Sequence, residues 1–554
     1  MSPLPLLCLR LRGTQEEMGR QHAELLAPRG GFAPLLAFYP ELPERIILST
    51  AAEHGDSLPL RAARAVKDRL LDRLARARPP EYLERSRAFL TGLGYPSGWA
   101  RYLGVMDVLQ NLVGVLARLR AGPFGRGLAD AMVPACSTLM VWDGASRGGA
   151  LRHARNFDFP GIGVWDAAPA VVFCTPDRGL RYGFVSARGA DTPGVSAFNE
   201  AGITVTAHTR FHREVAFHGA AIVDLGHDIA RRAETLADAV AIARERPVAS
   251  TWGLAVSSAR ERRALVIETT ARAVELIEPD GDHLTCANRY RHPRHQAGEV
   301  QASAAWAEHS DGRERRLRAL VAAARPGGGM DAAALQAALA DRTDPDDPQR
   351  VRGGGAVVAQ ACTVQSMVVD AGERAVHVGV GAAPASCGPW ARVDWSWDGP
   401  VDAWEPVPAA GQGTAATPFA WWVEANRLSR QEYDHAAAVA AVEQAVAGDP
   451  ADPAYRFAAG LMRLRRGEPA PALAHLEAGL AAERAPYRRG QLLLWASRAA
   501  DGAGDADRAR RLRAELLDGT DARLAEHRSA ARAEQRRPFR RRRFDINLAL
   551  LDAR

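Results

Sequence analysis

Lysine is almost absent from this chain: Lys67 is the only one among 71 basic residues in 554. Chemistry that depends on a catalytic lysine is therefore nearly excluded. The excess of arginine, alanine and glycine reads as a GC-rich coding bias, so the net charge of +6 says little about function. Cysteine is also sparse. The six residues at 8, 136, 174, 286, 362 and 387 include no Cys-x-x-Cys pair. That spacing points to reduced thiols in a cytoplasmic protein rather than a disulfide scaffold. No apolar run of about 18 residues is free of charge, and no membrane span is expected. Met1–Arg10 has too short an apolar run, and no basic leader, for a secretory signal. His283, His292 and His295 cluster in sequence but have no His-Glu-x-x-His motif or paired cysteines, so a metal site is not expected. Neither a serine elbow, a phosphate-binding glycine loop nor a dinucleotide fingerprint is expected, and nothing asks for an organic cofactor.

What is present is an ordinary globular composition, 47% apolar and 25% charged. The length suggests two or three domains. Ala62–Leu71 and Val105–Leu116 repeat apolar residues at the helical period. The cluster Gly122-Pro-Phe-Gly-Arg-Gly127 then breaks the pattern. From residue 136 to about 395, strand candidates alternate with helices. The strands are Thr138–Trp142, Ala170–Phe173, Tyr182–Ser186, Ile203–Ala207, Gly253–Ser257, Ala264–Glu268, Ser366–Val369 and Val376–Gly379. Apolar periodicity predicts helices over Ala220–Arg244 and Ala305–Ala324. Hairpins with inserted helices favour antiparallel sheets, and periodicity by itself yields only an α+β class.

A Pro/Gly/Ala-rich stretch from Pro406 to Pro418 reads as a linker to a helical Ala/Leu/Arg-rich region. There, Ala438, Glu443, Ala445 and Val446 recur as Ala472, Glu477, Gly479 and Leu480, each 34 residues later. This resembles tetratricopeptide repeats, whose stacked helix pairs hold a peptide or a neighbouring subunit. A plain helical bundle is the alternative. The segment Arg536–Arg543 carries six arginines in eight residues. No recognition fold accompanies that charge, so a solvated tail rather than nucleic-acid binding is expected.

Cys136 heads the run Val133-Pro-Ala-Cys-Ser-Thr-Leu-Met-Val-Trp142, and a second run follows, His153-Ala-Arg-Asn-Phe-Asp-Phe159. A free cysteine in an apolar strand is most often simply buried. If the Ala135–Cys136 bond is cut, however, one residue carries both a thiol and an α-amine. The amine titrates near ~7.7–8.0 and can act as the thiol's own general base.

Several motifs lie in one order along the chain: Gly13–His22, Cys136-Ser-Thr138, His153–Asp158, Phe198-Asn-Glu-Ala-Gly202 and Cys286-Ala-Asn-Arg-Tyr290. Over roughly residues 5 to 395 they resemble the acyl-coenzyme A:isopenicillin N acyltransferase family. These are N-terminal-nucleophile (Ntn) hydrolases related to choloylglycine hydrolases. The resemblance implies an αββα sandwich of two antiparallel sheets. It implies a pro-segment over 1–135, a hydrolase domain over 136–400 and a linker over 401–419. Tetratricopeptide-like repeats would fill 420–520, with a tail over 521–554.

The resemblance also implies roles. Cys136 would be the nucleophile, Asp158 would orient its amine, and Arg155 would stand beside the thiol. Asn288 would donate to the oxyanion, and Arg313, rather than Arg316, would be the later active-site arginine. Ala135 stands where the family typically shows glycine, and Thr209 where choloylglycine hydrolases place a second oxyanion asparagine. The expected activity is hydrolysis or transfer of the acyl group of an N-acyl small molecule or peptide-like amide. The repeats would offer a site for a protein or peptide partner. A non-catalytic interaction protein with an unprocessed hydrolase-like domain, or a lipid acyl hydrolase, are the alternatives.

Overall fold

The computed structural model describes residues 5–48, 58–118, 135–301, 303–399, 402–405, 417–540 and 544–553. The Gly122–Gly127 cluster and nearly all of the 406–418 linker lie outside the described residues. The chain divides into two compact units. One comprises residues 1–301, 317–340 and 363–411, the other 302–316, 341–362 and 412–554.

In chain order the strands begin with β1 (Leu6–Gly13), β2 (Ala135–Asp143), β3 (Gly149–Asp158), β4 (Pro169–Pro176), β5 (Tyr182–Ala187) and β6 (Ser196–Asn199). They continue with β7 (Ile203–Thr209), β8 (Trp252–Ser258), β9 (Arg263–Thr269), β10 (Val274–Ile277) and β11 (His283–Cys286). After the short pair β12 (Thr343–Asp344) and β13 (Asp347–Val351) come β14 (Thr363–Asp370), β15 (Ala375–Gly379), β16 (Trp390–Asp394) and β17 (Asp402–Glu405).

Among the described residues, the first unit builds two sheets. A nine-stranded sheet runs β10-β9-β8-β7-β6-β5-β4-β1-β17, and a six-stranded sheet runs β11-β2-β3-β14-β15-β16. Neighbouring strands are antiparallel except β1 and β4, which are parallel.

The β1 sequence Leu-Leu-Cys-Leu-Arg-Leu shows why the larger sheet is buried on both faces. Leu6 and Cys8 pack with Val171, Phe173, Met367, Val369 and Val376, which joins one sheet to the other. Leu7, Leu9 and Leu11 point the opposite way, into a cluster with Met18, Leu26, Phe89, Ile222 and Ile229 on helices. Side chains alternate along a strand, so a near-continuous apolar run is what a strand buried on both faces requires. Each fully buried Leu or Phe stabilises by about 1.5–3 kcal/mol. On the six-stranded sheet's other side, the helix Ala332–Leu339 lies against β3 and β14.

The helix expected over Ala220–Arg244 is in fact two, Ile222–Arg232 and Leu236–Glu245. Thr235 makes the break. Its hydroxyl accepts from Asp238 N at 3.1 Å while the Asp238 carboxylate accepts from Thr235 N at 2.9 Å. Such a capping box satisfies two orphan donors and overrides the continuing apolar period. In the Asn199–Gly202 turn, Gly202 has φ +91°, a conformation that favours glycine.

The second unit is mainly helical. Its helices are Pro418–Arg427, His435–Gly448, Pro453–Arg466, Pro469–Ala482, Pro486–Ala503, Ala506–Asp518 and Ala525–Arg536. Prolines start four of them, where a missing N–H costs nothing. Gly467 and Gly504, at φ +83° and +84°, end two of them. Gly460 is required for close packing, because a Cβ there would come 2.5 Å from Leu476 Cγ. Among the described residues no helix is long and apolar enough to cross a membrane.

Candidate active site

Cys136 lies in β2 directly opposite Phe157 of β3, and Thr138 lies opposite Arg155. Cross-strand partners share a face, so Cys136, Thr138, His153, Arg155 and Phe157 all project from the same side of the six-stranded sheet. That side meets β7 of the larger sheet, since Thr138 Oγ1 lies 2.9 Å from His208 Nε2 and 3.4 Å from Thr206 Oγ1. The thiol is thus 1% exposed, between the two sheets.

Arg155 is equally buried and is held on several sides. Nη2 donates to the Ala207 carbonyl at 2.6 Å and lies 3.5 Å from Cys136 Sγ. Nη1 donates to the Val195 carbonyl and the Ser196 hydroxyl. The guanidinium carbon sits 5.0 Å above the Phe157 ring. A planar fork tied to fixed carbonyls cannot swing away, so its charge stays beside the sulfur.

The backbone nitrogen of Cys136 donates to Asn288 Oδ1 at 3.0 Å. Asn288 follows β11, which pairs with β2 through Cys286 opposite Thr138. Its Nδ2 donates to the Thr209 carbonyl at 3.2 Å. In this uncut chain, therefore, Asn288 grips the nitrogen of the Ala135–Cys136 peptide bond. Asp158 lies directly opposite Ala135 and accepts from Thr363 Oγ1 at 2.6 Å. Strand alternation assigns its side chain to the face opposite the thiol, the face on which Asn156 reaches the Leu339 carbonyl. Arg313 belongs to the second unit, where Nε donates to the His309 carbonyl one turn back on the same helix. Arg316, the other candidate, pairs with Asp341 at 2.7 Å.

Sequence reasoning missed a polar network buried between the two sheets, farther along β2 and β3 from the thiol. His153 bridges Ser257 Oγ at 2.9 Å and Thr206 Oγ1 at 3.1 Å. Burial, and then the Arg155 charge, push its pKa down to about 3, so it stays neutral. A signal existed in β7, where Thr204, Thr206 and His208 alternate with apolar residues. Such alternation ordinarily marks a solvent face, yet all three are fully buried here.

Gly144-Ala-Ser-Arg-Gly148 does match the Gly-x-Ser-x-Gly spacing of a serine elbow. It forms the turn between β2 and β3 instead of a strand-to-helix elbow, and Arg152 Nη1 donates to Ser146 Oγ at 2.7 Å. The histidines of the 283–295 stretch each face a carboxylate: His283 faces Asp282, His292 faces Glu275 and His295 faces Glu268. Among the described residues, no three His, Cys, Asp or Glu side chains gather so as to hold a metal ion.

These features define a mixed α+β unit with a buried thiol–guanidinium pair between two sheets, joined in one chain to a helical unit. No family model and no curated protein matches the chain. Among solved structures, it is similar to one described as the Caenorhabditis elegans N-acylethanolamine-hydrolyzing acid amidase (NAAA) ortholog. Identity is 15%, 43% of this chain and 93% of that chain are covered, and the TM-score is 0.30. A likeness that distant assigns no chemistry.

Proposed function

We propose that this chain is an Ntn-type amide hydrolase or acyltransferase that severs its own Ala135–Cys136 bond and then uses Cys136 as nucleophile. The observation that carries the reading is the double grip on one residue. Arg155 holds the sulfur of Cys136, and Asn288 holds its nitrogen. A merely structural cysteine needs neither. The two facing sheets with helices beyond them are read as the αββα sandwich of that class. Helices His435–Gly448 and Pro469–Ala482 begin and end 34 residues apart (469 − 435 and 482 − 448), in keeping with tetratricopeptide-like pairs.

After scission the freed α-amine, near ~7.7–8.0 in ordinary water, takes the thiol proton as sulfur attacks the amide carbonyl. The tetrahedral intermediate collapses when the amine leaving group takes that proton, which leaves a Cys136 thioester. Water or an amine then accepts the acyl group. Asp158, opposite Ala135, orients the new amine. Asn288 donates to the oxyanion; an amide nitrogen has two hydrogens, so one bond to Thr209 does not exhaust it. Arg313 enters on the family resemblance alone. The substrate class is an N-acyl small molecule or peptide-like amide.

Intact mass of the purified protein beside its Cys136→Ala variant tests this. The wild type should yield chains of 135 and 419 residues (554 − 135), and the variant should stay whole. A wild-type chain that remains uncut would overturn the proposal.

A further inference from the structure

Asn288 lies two residues past the end of β11, whose ladder with β2 stops at the pair Cys286–Thr138. Strand pairing therefore does not set the residue that meets the Cys136 nitrogen, and its neighbours must be held in other ways. Arg210, the first residue after β7, supplies the hold on the upstream side. Its Nη2 donates to Cys286 Sγ at 3.2 Å and its Nη1 to the Ala287 carbonyl. Nη1 also lies 3.4 Å from the Thr209 carbonyl, the same oxygen that accepts from Asn288 Nδ2. Downstream, Tyr290 Oη donates to the Thr269 carbonyl at 2.8 Å, and its ring centre is 5.9 Å from the Arg210 guanidinium carbon. Glu268 accepts from Arg291 N at 2.7 Å and from His292 N at 3.1 Å.

Arg210 is itself fixed from the larger sheet. Its carbonyl accepts from Thr251 Oγ1 at 2.7 Å. Its guanidinium lies over Gly253 of β8, where a Cβ would come 2.8 Å from Nη2 and 2.9 Å from Cζ. Arg210 and Glu268 are both buried and carry opposite charges. Burial opposes the charge on Glu268, but His295, Arg210 and the two backbone N–H groups together hold its pKa below the usual carboxylate range. Buried ion pairs are poor stabilisers, since apolar side chains of similar volume often serve as well or better. What an apolar residue could not supply at 210 is a rigid fork that meets two acceptors at once. Lysine, a single point charge on a flexible stem, could not supply it either.

We propose that Arg210 is a positioning residue, which clamps Cys286 and Ala287 so that Asn288 presents its oxygen to the Cys136 nitrogen. Arg210 touches no substrate and acts only through Asn288. The assignment rests on the reading of Asn288 as part of the nucleophile site.

Hydrogen exchange tests the clamp without reference to any activity. It is measured on full-length Cys136→Ala, which lacks the thiol and keeps the backbone N–H of residue 136. Adding Arg210→Met should raise exchange of that N–H at least tenfold and leave the Val141 N–H, farther along the β2–β3 ladder, as it was. Unchanged exchange at residue 136, or an equal rise at both positions, would overturn the clamp. Action through Asn288 is read from the rate of Ala135–Cys136 scission in a double-mutant cycle. Arg210→Met and Arg210→Lys should each slow scission at least tenfold in the wild-type chain and cause no further loss beside Asn288→Asp. A residue that merely stabilised the fold would slow both backgrounds alike, so equal losses would refute the positioning role. Wild-type scission in Arg210→Lys would show that charge without the fork suffices, which also refutes it. Should Arg210→Met fail to fold, Gly253→Ala, whose Cβ intrudes on the guanidinium, carries both tests. A wild-type chain that never cuts refutes the proposed function, and the exchange result still decides the clamp.

Discussion

The backbone N–H of Cys136 and the side chain of Asn288 meet at 3.0 Å across 152 residues of sequence. The orientation of that side chain is chemically forced. A backbone N–H can meet only its oxygen, and the Thr209 carbonyl can meet only its nitrogen. One amide thus ties the start of β2 to the end of β7.

Substitution of Asn288 should therefore damage self-processing more than folding. Asn288→Asp keeps an acceptor for Cys136 but turns a carboxylate oxygen towards the Thr209 carbonyl. Asn288→Ala removes both bonds, at about 0.5–1.5 kcal/mol each. Scission of the Ala135–Cys136 bond, followed by mass over time, is expected to slow at least tenfold in Asn288→Asp. Cutting at the wild-type rate in that variant would remove Asn288 from the mechanism.

The strands were legible because each is a short apolar run between turn residues: the expected Ile203–Ala207, Gly253–Ser257 and Ala264–Glu268 all fall within β7, β8 and β9. Pairing was not legible. β11 meets β2 across the intervening nine-stranded sheet's hairpins, and no local pattern encodes so distant a partner. Cys136, Arg155 and Asp158 could be singled out because they share one strand pair. Thr206 and His208, on a strand of the other sheet, left only the polar–apolar alternation of β7 as a sign, and alternation does not tell which sheet a face will meet.

Asp107 should make the protein less stable as pH rises from about 4 to about 7. Burial pushes its pKa up to about 7, and the bond from Trp252 Nε1 to Oδ1 at 2.9 Å only partly opposes this. The folded state then holds a proton that the unfolded chain releases near pH 4, so stability falls between about pH 4 and 7 and levels off above. Glu483 has the opposite sign. Burial raises its pKa, but Arg352 and Arg488 outweigh that and hold it at about 2, so its contribution is lost only as pH falls below about 4.5 towards 2. The two windows barely overlap. Melting of Asp107→Asn against wild type should show little difference at about pH 3.5, below the window, and a higher midpoint for the variant at pH 8. Equal midpoints at both values would show that Asp107 does not carry the slope.

If the chain cuts itself, the two products should stay together, and the reason lies in Asp191. Arg85 Nε and Nη2 each lie 2.7 Å from its two oxygens, and His22 Nδ1 lies 3.2 Å away. Burial would raise the Asp191 pKa, but Arg85 holds it well below the usual carboxylate range. Arg85 also donates to Tyr182 at 2.9 Å, and Arg78 makes a second buried pair with Asp224. His22, Arg78 and Arg85 precede residue 136, whereas Tyr182, Asp191 and Asp224 follow it. β1 is likewise hydrogen-bonded between β4 and β17, both of which come after the cut. Separation would therefore expose a sheet edge and strand buried charges. Removing one partner of such a pair costs about 3–5 kcal/mol. Size-exclusion chromatography under native conditions should show both chains in one peak. Asp191→Ala should lower the melting temperature or release the smaller chain, and adding Arg85→Met should recover part of the loss by removing the stranded charge. Wild-type chains that part on the column would mean that these contacts do not bind the halves together.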